Sequence, residues 1–276
     1  MIEVPKMSFN HIYLLHQLLA ISAFHLAYLQ PHMSKKYSVQ ATQHQSIAVN
    51  GVRQVLPDIT SENCHPLFAA SSLFFLGALA AGRPVPTAGI SCGPHLEDLI
   101  DVFLLVKGVG NVLLYSEAEL RGGPFSPLFV NVPAGESTLV LDRVISQINN
   151  YLLRVLKIPK PDPAREVLEA EVSAFDTCVK RAIAYASTPE YRIIASWPIS
   201  MTDKFIALLR QRHHAALALL SYYCVIMHAT ETGYWFTDGW SCRIMQDISQ
   251  GIVAPWDQDT TWALGWIMGS PSQPST

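Results

Sequence analysis

Tyr223, His228 and Lys107 each combine a movable proton with an apolar stretch of sequence. In such surroundings a tyrosine, a histidine and a lysine can polarise a carbonyl or assist the loss of water. Phe74, Phe103, Phe129, Met227, Trp235 and Trp240 supply large, adaptable apolar surface alongside them. Ligand sites are mostly apolar with a few placed polar groups, so these residues are the expected lining of one pocket. The chemistry they suit is orientation, since holding two apolar partners in place supplies roughly 7–11 kcal/mol of a barrier. Taken singly, each aromatic is better explained by core packing. An unpaired buried polar group costs about 1–3 kcal/mol, so Tyr223 and His228 must be paired within a core or serve a ligand.

Other chemistries find no pattern. Ten histidines invite a metal, but His213 and His214 are adjacent and point to different faces of a helix. His11 and His16 are spaced poorly for one face, and no HExxH or cysteine partner at ligand spacing occurs. His16, His25, His44 and His228 read as hydrogen-bonded core histidines. Gly108-Val109-Gly110 has Leu113 where a third glycine would stand, and it lies in a helical pattern, so it is no dinucleotide fingerprint. Five widely spaced cysteines without a CxxC suggest reduced thiols rather than a zinc finger or a disulfide framework. Asp238, Arg243 and Asp247 either form an ion pair that caps the last helices or reach a bound ligand. Neither a metal nor a cofactor is expected.

The elements that must position these residues are helical. Residues 8–30 are apolar nearly all round, which predicts a central helix. Tyr37, Ala41, His44, Ala48, Val52 and Val55 recur at helical spacing over 37–55, and Thr60-Ser61-Glu62 offers caps for a helix over 63–81. Further helices are predicted over 95–116, 137–156, 163–187, 201–230, 240–253 and 262–268. Ile90-Ser91-Cys92 and 128–132 are the nearest to strands, and both are short. The architecture expected is a single all-α domain with an internal apolar ligand pocket.

Half of the 276 residues are hydrophobic and only 15% are charged, against a usual share of about 25%. A net charge of -3 without a Lys/Arg cluster argues against electrostatic binding of nucleic acid. No Asp, Glu, Lys or Arg occurs between Lys6 and Lys35 or from Asn63 to Gly82. A spanning helix needs roughly 20 apolar residues. The first run is interrupted by His11, His16, Gln17 and His25, the second by Asn63, His65 and Pro66. No membrane span and no signal peptide is expected.

Several segments share an order and a spacing. Val4-Pro5 and the run Leu14 to Ala27 are followed by Tyr37, Ala41 and His44, then by Ile59 to Cys64. Val102 to Val109, Ser126-Pro127-Leu128, Trp197-Pro198, Phe205, Leu208-Leu209, Ala216-Leu217, Trp235, Gly239 and Trp240 continue the series. The series resembles the C-terminal regulatory domain of fungal zinc-cluster transcription factors, specifically their sterol-sensing group, over nearly the whole chain. The resemblance implies a helical domain over 1–269, a loose tail over 270–276 and a deep apolar pocket that holds a sterol in the sensing members. That family reads DNA through a six-cysteine zinc cluster, which this sequence does not contain.

A sensor pocket without a DNA reader has lost its output. The leading expectation is therefore a cofactor-free cyclase of fungal secondary metabolism, performing a hetero-Diels–Alder-type cycloaddition. Pericyclic chemistry needs no nucleophile, metal or redox cofactor. The alternative is a ligand-responsive, sterol-like regulatory domain lacking or separated from its DNA-binding region. A free-standing binding protein is a third. The partner expected is a hydrophobic small molecule (a terpenoid, polyketide or sterol), with no direct nucleic-acid contact and a homodimer admitted. The expected location is cytoplasmic, or nuclear for the regulator.

Overall fold

The computed structural model describes residues 3–84, 94–129, 137–159 and 161–269, apart from the side chains of Val109, Asn111, Leu113 and Tyr115. The strand-like fragments 90–92 and 130–132, most of the Gly/Pro linker and the tail 270–276 lie outside them. Among the described residues all regular structure is helical. The helices are α1 (Glu3–Ser8), α2 (Ile12–Leu29), α3 (Ser34–Val55), α4 (Cys64–Gly82), α5 (Leu96–Gly122) and α6 (Leu139–Val155). They continue as α7 (Pro163–Tyr185), α8 (Pro189–Ser200), α9 (Asp203–Arg210), α10 (His214–Glu231), α11 (Trp240–Ile248) and α12 (Asp257–Gly269). The chain groups into two compact units, Met1–Gly82 with Val102–Asn131, and Arg83–Asp101 with Val132–Thr276.

In the first unit α2 and α3 form an antiparallel hairpin turned by Pro31 at the start of a short 3-10 helix. Tyr13, early in α2, abuts Gly51, late in α3, so closely that a Cβ on Gly51 would lie 2.8 Å from the Tyr13 Cβ. Glycine is required there by close approach. The turn before α4 is held by Asn63, whose Oδ1 accepts from Thr60 N at 2.8 Å and whose Nδ2 donates to the Asp58 carbonyl at 2.8 Å. Leu67, Phe68, Ala70 and Phe74 of α4 build the core with Tyr13, Leu14, Ala48, Val112 and Leu120.

Both α2 and α4 are long and apolar enough to cross a membrane on length and composition, but their burial differs. The α4 span is 67% buried and serves as the core helix, whereas the α2 span is only 33% buried. The expectation of a central, enclosed helix over 8–30 is therefore corrected. Ile12, Leu19, Leu26 and Leu29 are exposed, because α3 and α4 cover only part of an all-round apolar surface.

The second unit is organised around α10, which is buried continuously from Ala215 to Met227. α6, α8, α9, α11 and α12 all pack on it, and α7 lies against α6 and α8. The predicted helix over 201–230 is two helices. Arg212 takes a left-handed φ of 51°, and His213 N and Arg212 N donate to the carbonyls of Leu208 and Leu209, both at 2.9 Å. These paired bonds are the Schellman ending of a helix, with arginine where glycine is usual. Arg212 is held there by bonds to the Asp247 carbonyl (2.7 Å) and Oδ1 (3.2 Å). α8, unanticipated from the sequence, is entered through Pro189 and contains Pro198.

Candidate functional site

Three of the expected site residues lie on α10 in the second unit. Tyr223 is fully enclosed, and its hydroxyl donates to the Ile194 carbonyl at 2.9 Å. In a regular helix that carbonyl would accept from the N–H four residues on, but residue 198 is proline and has none. Tyr223 supplies the donor that Pro198 lacks. Burial raises its hydroxyl pKa well above the ordinary value. Met227, one turn further along, is wholly buried.

His228 is half-buried at the end of α10. Its Nδ1 lies 3.1 Å from Glu231 Oε2 and 3.1 Å from Ser241 Oγ, while Glu231 Oε1 accepts from Ser241 N at 2.8 Å. The cluster joins the end of α10 to the first turn of α11, where carboxylate and free N–H groups attract each other. Trp240 is buried at the start of that turn, behind Gly239 at φ 81°. Trp235 is half-buried against Phe236, with ring centroids 5.9 Å apart.

The remaining expected residues lie in the first unit. Phe74 of α4 and Phe103 of α5 are buried, and Lys107 of α5 is half-buried. Phe129 is half-buried with the Arg121 guanidinium 4.9 Å from its ring centroid. Tyr223 and Met227 thus share one core helix, and His228 joins the residue after Trp240.

A buried polar cluster that sequence reasoning missed lies in the second unit. Asp259 of α12, with 1% of its side chain exposed, accepts from Arg154 of α6 and from the Tyr222 hydroxyl of α10. Burial raises the Asp259 pKa more than Arg154 and Tyr222 lower it. Beside it, the Tyr151 hydroxyl donates to the Ala215 carbonyl at 2.8 Å. Tyr151 and Arg154, one turn apart on α6, were the available signal. Asp238 and Asp247 are also tied up in structure, but with Arg83 and Arg212 rather than with Arg243. Asp238 pairs with Arg83 at 2.8 Å, and Asp247 pairs with Arg212 and accepts from Leu96 N at 2.8 Å at the start of α5.

The second unit also carries a partly open cleft of about 570 Å³ between α7 and α8. Ala170, Ala174 and Ala182 form apolar wall, Ser173, Thr177, Ser196 and Ser200 bring hydroxyls, and Arg181 and Arg192 bring charge. Cys178 Sγ lies 3.1 Å from Ser196 Oγ, bridging the two helices. Burial raises the pKa of this thiol, against the opposing pull of the Ser196 hydrogen bond and of both guanidiniums. None of the residues expected from sequence lines this cleft.

The fold and these clusters define an all-α class of protein, with one unit wrapped around α4 and the other around α10. Residues 2–120, which run from α1 through nearly all of α5, match the family model described as the fungal specific transcription factor domain. The chain is similar to that family over this stretch. No curated protein and no solved structure matches it.

Proposed function

We propose that this chain works as the regulatory domain of a fungal transcription factor, its DNA read outside these 276 residues. The match of residues 2–120 to the fungal specific transcription factor domain carries this reading. The resemblance of the later segments to the sterol-sensing group supports a hydrophobic small molecule as the signal, of terpenoid, polyketide or sterol type. On this reading the chain acts in the nucleus, and DNA is read by a separate region or partner. The cycloaddition expected from the sequence has no support from the side-chain arrangement or the family match, and is set aside.

Fusion of the whole chain to a heterologous DNA-binding module tests the proposal in a yeast reporter strain. Reporter output should differ from that of the module alone and should change when sterol synthesis is blocked. Output equal to the module alone under both conditions would overturn it.

A further inference from the structure

We propose that the cleft between α7 and α8 binds a small organic anion, its carboxylate or phosphate group held between Arg181 and Arg192. On α7 the other cations are neutralised, Arg165 by Glu169 and Lys180 by Asp176, each at 2.6 Å. Arg181 and Arg192 have no ion pair among the described residues, and no acidic side chain lines the cleft between them. Two unopposed guanidiniums beside one concavity raise its positive potential and attract a counter-charge.

Geometry narrows the class of ligand. A planar guanidinium presents a fork of N–H donors that matches carboxylate and phosphate oxygens. The Thr177, Ser196 and Ser200 hydroxyls already donate to the carbonyls of Ser173, Arg192 and Trp197, at 2.8, 2.6 and 2.9 Å. Of the cleft's hydroxyls that leaves Ser173, and its charged donors are the two arginines. Ala170, Ala174 and Ala182 leave apolar wall for a compact body, and a volume of about 570 Å³ suits a small molecule. Arg181 and Arg192 would hold such an anion whether or not the chain regulates transcription.

Isothermal titration of the full chain with phenyl phosphate, benzoate and benzyl alcohol at constant ionic strength tests it. The three probes share an apolar body, and the first two separate phosphate from carboxylate recognition. Saturable millimolar binding of at least one anion is expected, with none for benzyl alcohol. Arg181→Gln and Arg192→Gln should each weaken that binding about tenfold, the scale of a lost charge-assisted hydrogen bond. Circular dichroism checks folding. If Arg192→Gln fails to fold, phenylglyoxal labelling of the unaltered chain takes its place, and the bound anion should protect both arginines. The proposal is overturned if neither anion binds saturably, if benzyl alcohol binds as well, if the folded variants bind undiminished, or if labelling is unprotected.

Discussion

Tyr223 Oη donates to the Ile194 carbonyl at 2.9 Å, across the gap that Pro198 opens in α8. A hydroxyl expected to meet a ligand instead completes the backbone of a neighbouring helix. Tyr223→Phe should therefore cost about 1–3 kcal/mol of stability, the usual penalty for a buried acceptor left unpaired. Pro198→Ala restores an N–H at that position, so adding it to Tyr223→Phe should recover much of the loss. Urea denaturation of the two single variants and the double variant gives the coupling. Additive losses would mean that Tyr223 and Pro198 are not linked through Ile194.

Gly51 on α3 faces Tyr13 on α2 without room for a methyl group, as the 2.8 Å approach of a built Cβ shows. The contact is side-chain Cβ on a packed helix rather than the tip of a flexible chain, so relief requires the hairpin to open. Gly51→Ala gains helix propensity of about 1 kcal/mol, yet overpacking costs about 1–3 kcal/mol. Net destabilisation is expected in thermal unfolding. A more stable variant would show that α2 and α3 slide apart easily.

His16 and His44 link the same two helices, with their Nδ1 atoms 2.8 Å apart. One ring must offer an N–H and the other a lone pair, so both cannot be protonated in this arrangement. Burial, then the charge of His44, lowers the pKa of His16 below 6.5. The unfolded chain therefore binds more protons in the window below 6.5, and stability falls as pH drops through it. Replacing both residues with glutamine should flatten the stability profile between pH 7 and pH 5, about the range over which histidine titrates. An unchanged slope in chemical denaturation would place the pH dependence elsewhere, with His11 and His213 as the next residues to replace.

Helix periodicity was legible because apolar residues recurring at helical spacing, or running on as in α4, admit few alternatives. α3, α4, α6 and α7 lie close to their predicted ranges for that reason. The break at Arg212 was harder to see, since its left-handed turn depends on Asp247, which lies outside that stretch of sequence. The polar run Arg210-Gln211-Arg212-His213-His214 was the local sign of it. α8 was missed because Pro189 and Pro198 read as breakers, although proline suits a first turn and Tyr223 compensates the second. The same reasoning explains the site. Apolar context singled out Tyr223 and His228, but context cannot say whether a polar tip meets a ligand or a neighbouring helix. Arg181 and Arg192 carry no such mark in the sequence, because an arginine is ordinary until its missing counter-charge is visible in three dimensions.

Arg154 and Asp259 give the sharpest test of the second unit, since their removal separates charge from packing. Asp259 has 1% of its side chain exposed and Arg154 has 14%, so the pair is largely shielded from water. Breaking such a pair by removing one partner costs about 3–5 kcal/mol, because a buried charge is left uncompensated. Arg154→Leu should lose stability on that scale at neutral pH. Without Arg154, the Asp259 pKa must rise further above its unfolded value, since a lowering influence has been removed. A carboxyl whose folded pKa is raised is most stable while protonated, so the variant should regain stability as pH falls through that pKa. Asp259→Asn in the Arg154→Leu background removes the charge outright and keeps an acceptor for the Tyr222 hydroxyl. This double variant should be more stable at neutral pH than Arg154→Leu alone. Equal stability would show that Asp259 is not an uncompensated charge once Arg154 is gone, and that the arginine acts through its packing.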